Sequence, residues 1–310
     1  MLIKKNVIRA LILIFTILSC HLASAEKEPR IKAVASFSIL GDMVSNIGGE
    51  RIELSVLVGP NSDGHVYEPT PRDAKQVANA DIFFMNGLHF EGWTERLLEA
   101  AQFKGKLVIA TQGISPLITP ANEIDPHAWQ SLANARSYLK NIAAGLSAID
   151  KSHAQYYSDN LHSYLTKIDI AEQTIITAIA KLPLERRNVI TSHDAFKYFE
   201  HAYGLHFFAP QGLSTNSEAT PTDVAALIRQ IRSQKTPAIF IENMTDPRLI
   251  EQISRETNAT LGGTLYSDAL SEKNQPAHTY LHLMLHNTKQ LTEALSHQEQ
   301  NLIKNNTRLK

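Results

Sequence analysis

Thirteen histidines and a single cysteine frame the chemistry open to this chain of 310 residues. With so little sulfur, metal ligands and proton carriers must be imidazoles and carboxylates. His65 stands in Asp63-Gly64-His65-Val66-Tyr67-Glu68-Pro69-Thr70-Pro71, a loop stiffened by glycine and proline. His127 stands in Asp125-Pro126-His127-Ala128-Trp129. His193 follows the apolar run at Val189-Ile190, and Asp268 follows Leu265-Tyr266-Ser267. A lone loop histidine is usually plain surface. These four stand out by joint placement: His193 and Asp268 fall just past the ends of expected strands, and His65 and His127 lie in loops that open after strands. Three imidazoles and one carboxylate suit a borderline divalent ion such as zinc, and can also hold manganese or iron.

Other candidates read as structure. Glu68 has the chemistry of a general base, but directly before Pro69 and Thr70 it reads better as a residue that shapes the loop leading into a helix. His278, His282 and His286 recur at i, i+4 and i+8 on an expected last helix and would share one face. No carboxylate or cysteine joins them at a metal-binding spacing, so an exposed polar stripe is the simpler reading. His89, His153, His162, His201, His206 and His297 have no motif around them. His-Glu-x-x-His, Gly-x-Ser-x-Gly and the phosphate-binding glycine loop are absent from the sequence, and Gly262-Gly263 reads as a turn.

The elements that must position the four candidates are organised around one stretch, from about His153 to Lys181. Tyr157, Leu161, Tyr164, Ile168, Ala171, Ile175 and Ile179 recur in steps of three and four, the period of an amphipathic helix. No glycine or proline interrupts it, and Leu182-Pro183 ends it. On each side short strands alternate with helices, which implies parallel sheets covered on both faces, with ligands beyond the carboxyl ends of the strands. The expected fold is α/β: two lobes, each a parallel sheet flanked by helices, joined by one long rigid helix. The expected segments are 1–25 for export, 26–150 for the first lobe, 151–183 for the linking helix and 184–310 for the second lobe. Pro71 should open a helix capped by Thr70. The rod should keep the lobes from closing as rigid bodies. Any larger change on ligand binding is then expected around Asp268, which is followed by the polar run Ser271 to Gln275.

Lys4, Lys5 and Arg9, the apolar core from Ala10 to Leu18 and the Ala23-Ser24-Ala25 site read as a cleaved export signal. Ile17-Leu18-Ser19-Cys20 resembles a lipoprotein box, so lipid anchoring through Cys20 is the alternative to a free periplasmic protein. Cys20 is the only cysteine, so cleavage after Ala25 leaves neither disulfide nor thiolate ligand. A formal net charge of −1 argues against nucleic acid as a partner, and 43% hydrophobic residues mark a globular chain.

The stretches from Gly59 to Trp93, Asp125 to Trp129, Val189 to Leu205 and Thr264 to Leu270, in this order, resemble the solute-binding proteins of bacterial ABC importers for zinc, manganese and iron. The resemblance spans essentially the whole mature chain. It implies two α/β lobes on a long rigid helix with one metal in the cleft, held by His65, His127, His193 and Asp268. It further implies a monomer that delivers its ion to a membrane permease with a cytoplasmic ATPase. The family carries Glu or His at the third ligand position, and His193 adds nitrogen, which points toward zinc. Against this, Gly113 to Asp125 lacks the histidine-rich loop of some zinc-dedicated members. A zinc-dependent hydrolase and a surface adhesin are the competing classes. Four protein ligands would leave a hydrolase no open position for water, and the chain lacks the repeats and polar stalk of an adhesin.

Overall fold

The computed structural model describes residues 29–234, 238–257 and 259–296. The expected export signal, Cys20 and His297 lie outside them. The first half runs β1 (Ile31–Phe37), α1 (Ser38–Gly48), β2 (Ile52–Val58), α2 (Pro71–Ala78), β3 (Ile82–Met85), α3 (Thr94–Ala100), β4 (Lys106–Ile109) and α4 (Leu132–Ile149). Its four strands pair in parallel in the order β2-β1-β3-β4. After the linking helix α5 (Ala154–Ala180) come β5 (Asn188–Ile190), α6 (Lys197–Tyr203), β6 (His206–Phe208), α7 (Pro221–Gln234), β7 (Ala238–Glu242), α8 (Arg248–Thr257), β8 (Thr260–Leu265) and α9 (Tyr280–Ser296). Their order, β6-β5-β7-β8, repeats the first sheet's pattern, again all parallel. In both sheets the chain steps to one side of its first strand and then to the other. Each sheet therefore has a switch point between its two central strands, where a crevice opens beyond the carboxyl ends.

The inner strand β1 is buried continuously from Ala33 to Phe37, as expected of a strand covered on both faces. Helix α5 has 27 residues and is about 40 Å long at the usual helical rise. Tyr157, Tyr164, Ile168, Ala171, Ile175 and Ile179 form its buried stripe, and Leu161 is half-buried beside it. The stripe packs against α1 and α4 from the first half and against α6 and α9 from the second. Polar ties hold the same faces: the Arg136 guanidinium on α4 lies 2.6 Å from both Asp169 and Glu172, and the Tyr164 hydroxyl donates to Asp42 at 3.3 Å. One continuous apolar core therefore runs from Val34 and Phe84 through Leu146, Ile168 and Ile175 to Phe199 and Leu283. Bending α5 would break its backbone hydrogen bonds and this packing together. A separate cluster of Ile190, Ile231, Ile239 and Ile253 covers the far face of the second sheet under α7 and α8. Among the described residues no helix is long and apolar enough to cross a membrane.

Polar side chains cap the starts of α8 and α9, and α9 begins after His278 rather than before it. Asp246 accepts the Arg248 N–H at 3.0 Å, and Thr279 accepts the His282 N–H at 3.3 Å. His278 thus precedes α9, and the expected row of three histidines on one helix face reduces to His282 and His286. The Thr70 cap takes its expected form. Its hydroxyl oxygen accepts the Asp73 N–H at 3.3 Å, while the Asp73 carboxylate accepts the Thr70 N–H at 2.7 Å. Thr70→Ala should lower stability by about 1 kcal/mol, read as a shift in the midpoint of chemical denaturation. No matching change in metal affinity is expected.

Candidate metal centre

His65, His127, His193 and Asp268 meet in one buried cluster in which the ligating atoms all lie within 4.8 Å of one another. His65 Nε2 is 3.2 Å from His127 Nε2 and 3.3 Å from Asp268 Oδ2. His193 Nε2 is 3.1 Å from Asp268 Oδ2, and His127 Nε2 is 3.7 Å from Asp268 Oδ1. A tetrahedral ion with nitrogen and oxygen ligands at about 2.0–2.1 Å separates those ligands by roughly 3.3 Å. The cluster has that dimension. Among the described residues it is the one group of this kind. Both Asp268 oxygens and both His193 ring nitrogens are buried without a hydrogen bond. Their short contacts are misaligned for hydrogen bonding. Buried polar atoms are normally paired. The Asp268 oxygens and His193 Nε2 instead face His65 Nε2 and His127 Nε2 across a common centre, the arrangement a cation requires, while His193 Nδ1 faces Glu242.

Each candidate ligand sits on a backbone segment held by neighbouring polar groups. The Asp63 carboxylate accepts the His65 N–H at 2.9 Å, and the Asp125 carboxylate accepts the His127 N–H at 2.9 Å. Asp-x-His thus occurs twice as the same local turn, with an aspartate folding back on the backbone two residues on. Asp125 also meets His127 Nδ1 at 2.8 Å, which places the proton there and leaves the Nε2 lone pair for the centre. His193 has Thr191 at the equivalent position, and its support comes from the end of β7. Glu242 Oε1 accepts the N–H groups of Ser192 and His193 at 2.8 and 2.9 Å, while Oε2 lies 2.7 Å from His193 Nδ1. Asp268 is carried on a segment tied from several sides. Trp129 Nε1 and Gln130 Nε2 each donate to the Ser267 carbonyl at 2.9 Å, and the Leu270 N–H donates to the Ser38 hydroxyl at 3.0 Å. The loop around Asp268, expected to be the pliable one, is therefore clamped by residues of the first half. Its polar run Ser271 to Gln275 is itself closed by the Ser271 N–H bond to the Ala277 carbonyl at 3.0 Å.

Sequence reasoning missed Glu242 and assigned no role to Asp125. The repeated Asp-x-His spacing was a usable signal for Asp125 and Asp63. Glu242, 49 residues from His193, offered none. Glu91 was missed as well. Its buried carboxylate accepts the Ser36 hydroxyl and the Asn86 N–H, both at 2.6 Å, and the Gly87 N–H at 3.2 Å. Burial pushes it up to about 7 against those bonds. Glu91 anchors the turn that carries Phe90, whose ring sits 4.7 Å from His65 and 4.9 Å from Trp129. Phe90 also needs the glycine at position 64, where a Cβ would come within 2.7 Å of its ring. Glu68 makes no contact with the cluster. His89, read as plain surface, is exposed on the rim of a cavity of about 520 Å³ that opens over His65.

The charges in the cluster are coupled. Burial lowers His65, so this imidazole is neutral at neutral pH. Burial also opposes charge on His193, but Glu242 and Asp268 outweigh it and hold His193 well above the free value. Burial likewise opposes charge on Asp268, and the surrounding His193 and His127 outweigh it, so the carboxylate stays ionised. The result is a buried pocket of three imidazoles and one anionic carboxylate.

Two parallel sheets on one rigid helix, closed around such a cluster, define a metal-binding solute-binding protein rather than an enzyme. Residues 33–294 match the model of the family described as zinc-uptake complex component A periplasmic, and the chain belongs to this family of ABC-importer proteins. It is 33% identical over 288 residues to the manganese ABC transporter substrate-binding lipoprotein PsaA of Streptococcus anginosus, covering 88% of this chain and 93% of the relative. The periplasmic zinc binding protein TroA from Treponema pallidum superposes with a TM-score of 0.83 at 29% identity, over 86% of this chain and 99% of that one. The Mn-bound periplasmic metal binding protein from Candidatus Liberibacter asiaticus superposes with a TM-score of 0.79 at 33% identity, over 86% of this chain and 100% of that one.

Proposed function

We propose that this protein captures one divalent transition metal with His65, His127, His193 and Asp268 and delivers it to the permease of an ABC importer, with zinc as the ion. The observation that carries this reading is the convergence of His193 Nε2 and the two buried, unbonded Asp268 oxygens with two further imidazoles. The names of the relatives speak for manganese in PsaA and in the Mn-bound protein, and for zinc in TroA and in the family description, so the donor set has to decide. Three nitrogens and one carboxylate suit zinc, whereas manganese prefers a shell richer in oxygen. Manganese and iron are the alternatives. In this reading residues 26–150 and 184–310 act as two lobes on the linking helix of 151–183, and the protein works as a monomer. It is exported, and the periplasm is its place of action. The lipoprotein names among its relatives support Cys20 as an alternative anchor.

A proton-linked titration tests the assignment. A ligating imidazole must be neutral, so protons compete with the metal. Glu242 and Asp268 favour the protonated form of His193, so the incoming ion competes with a proton there. His65 is lowered, so it adds a second competing proton only once the pH falls below about 6.5. Calorimetry in buffers of different ionisation enthalpy should therefore give one zinc per chain with release of about one proton at pH 7. Affinity should fall about tenfold for each pH unit below 7, and more steeply below about 6. Affinity that stays flat from pH about 7 to about 5 would remove the imidazoles from the shell.

A further inference from the structure

Outside the central cluster, one other pair of imidazoles among the described residues is in ring contact. The rings of His278 and His282 stack with centroids 4.5 Å apart and planes inclined by 29°. Each ring is held through Nδ1. His278 Nδ1 lies 2.9 Å from the Gln275 carbonyl oxygen. A nitrogen facing a carbonyl carries the proton, so the Nε2 of His278 is left with its lone pair free. His282 Nδ1 lies 2.7 Å from the Thr279 hydroxyl, which also caps the His282 backbone. The backbone beneath the pair is pinned as well. The Ala277 N–H donates to the Ser271 hydroxyl at 3.0 Å, and the Tyr280 N–H donates to the buried Asp42 carboxylate at 3.0 Å. Asp42 interacts favourably with positive charge at His278. His282 is exposed and His278 half-buried, so both remain within reach of solvent.

We propose that His278 and His282 form a second, weaker metal site at the start of α9, selective for borderline divalent cations that prefer imidazole. The stack holds the two Nε2 atoms side by side, and a turn of the exposed His282 ring about its side-chain bonds brings both onto one ion, with water completing the coordination shell. With no protein carboxylate among its donors, the site discriminates against manganese more strongly than the central cluster does. His286 is not part of it. Its Nε2 lies 3.2 Å from the Thr264 carbonyl, and its ring packs on Tyr266 at 5.3 Å. An ion bridging positions 278 and 282 would staple the segment after Asp268 to the first turn of α9.

The test is calorimetric titration of the mature chain with zinc alone and with manganese alone. A second zinc equivalent is expected, at least ~100-fold weaker than the first. His278→Ala and His282→Ala should each abolish it while the first equivalent stays. Manganese should show no second equivalent. Imidazole NMR signals of His278 and His282 in the unsubstituted protein should move only as the second zinc equivalent is added. A second equivalent that survives both substitutions, or none up to ~1 mM zinc, overturns the site. If the substitutions damage folding and the first equivalent is lost too, the NMR signals decide: two that stay unmoved through the second equivalent overturn it. The first equivalent is scored separately, so failure here leaves the cargo assignment standing.

Discussion

Asp268→Ala should weaken binding of the transported metal by roughly 10²–10⁴-fold, or about 3–5 kcal/mol. Asp268 is the only anion among the four clustered residues, and it touches His65 at 3.3 Å and His193 at 3.1 Å. Removing it leaves three buried imidazoles to receive a divalent charge with no compensating carboxylate. Asp268→Asn separates charge from shape. The amide fills nearly the same space, so a loss close to that of alanine would show that the negative charge is what matters. Competition against a fluorescent chelator at pH 8, with circular dichroism to verify folding, gives both numbers. An affinity within about fivefold of the parent in Asp268→Ala would exclude Asp268 as a ligand.

Glu242→Ala should produce the second large effect, in stability and affinity together. Glu242 makes no contact with the centre of the cluster. It accepts two backbone N–H groups and meets His193 Nδ1 at 2.7 Å, and it is fully buried. Alanine leaves all three groups buried without a partner, a loss of about 3–5 kcal/mol in stability. Metal affinity at pH 8 should fall about 10–100-fold, as is usual when a ligating histidine loses the group that orients it. The pH profile supplies a readout that loss of stability alone would not move. Without Glu242 less charge holds the proton on His193, so the decline of affinity below pH 7 should become shallower. Glu242→Gln retains an acceptor for the two N–H groups and should recover part of the stability, but not the parent pH profile. A parent-like pH profile in Glu242→Ala would show that the glutamate does not govern His193.

The architecture was legible in the sequence because its signals are local. The stripe from Tyr157 to Ile179 specifies its helix through spacing alone, and the same residues prove to be the buried ones, with Leu161 at the margin. Alternating short apolar runs and helices specify parallel sheets, and a parallel sheet places its loops at the carboxyl ends of the strands. That geometry brought His65, His127, His193 and Asp268 to notice before any distance was known. The aspartates two residues before His65 and His127 are equally local, since a side chain folding back on its own backbone needs no distant partner.

What the sequence could not determine depends on which distant segments share a face. Glu242 reaches His193 because β5 and β7 are neighbours in the second sheet, and strand order is a property of the whole lobe. Ser267 is clamped by Trp129 and Gln130, 138 and 137 residues away, so the rigidity of the Asp268 loop is invisible in its polar composition. The start of the last helix at Tyr280, after His278, was likewise decided by the Thr279 cap, which outweighs periodicity at the end. Local sequence thus determined the elements and the candidate ligands at their tips. Only the tertiary structure, by bringing Glu242 against His193 and Trp129, Gln130 and Ser38 against the Asp268 segment, decided how those two tips are charged, oriented and held.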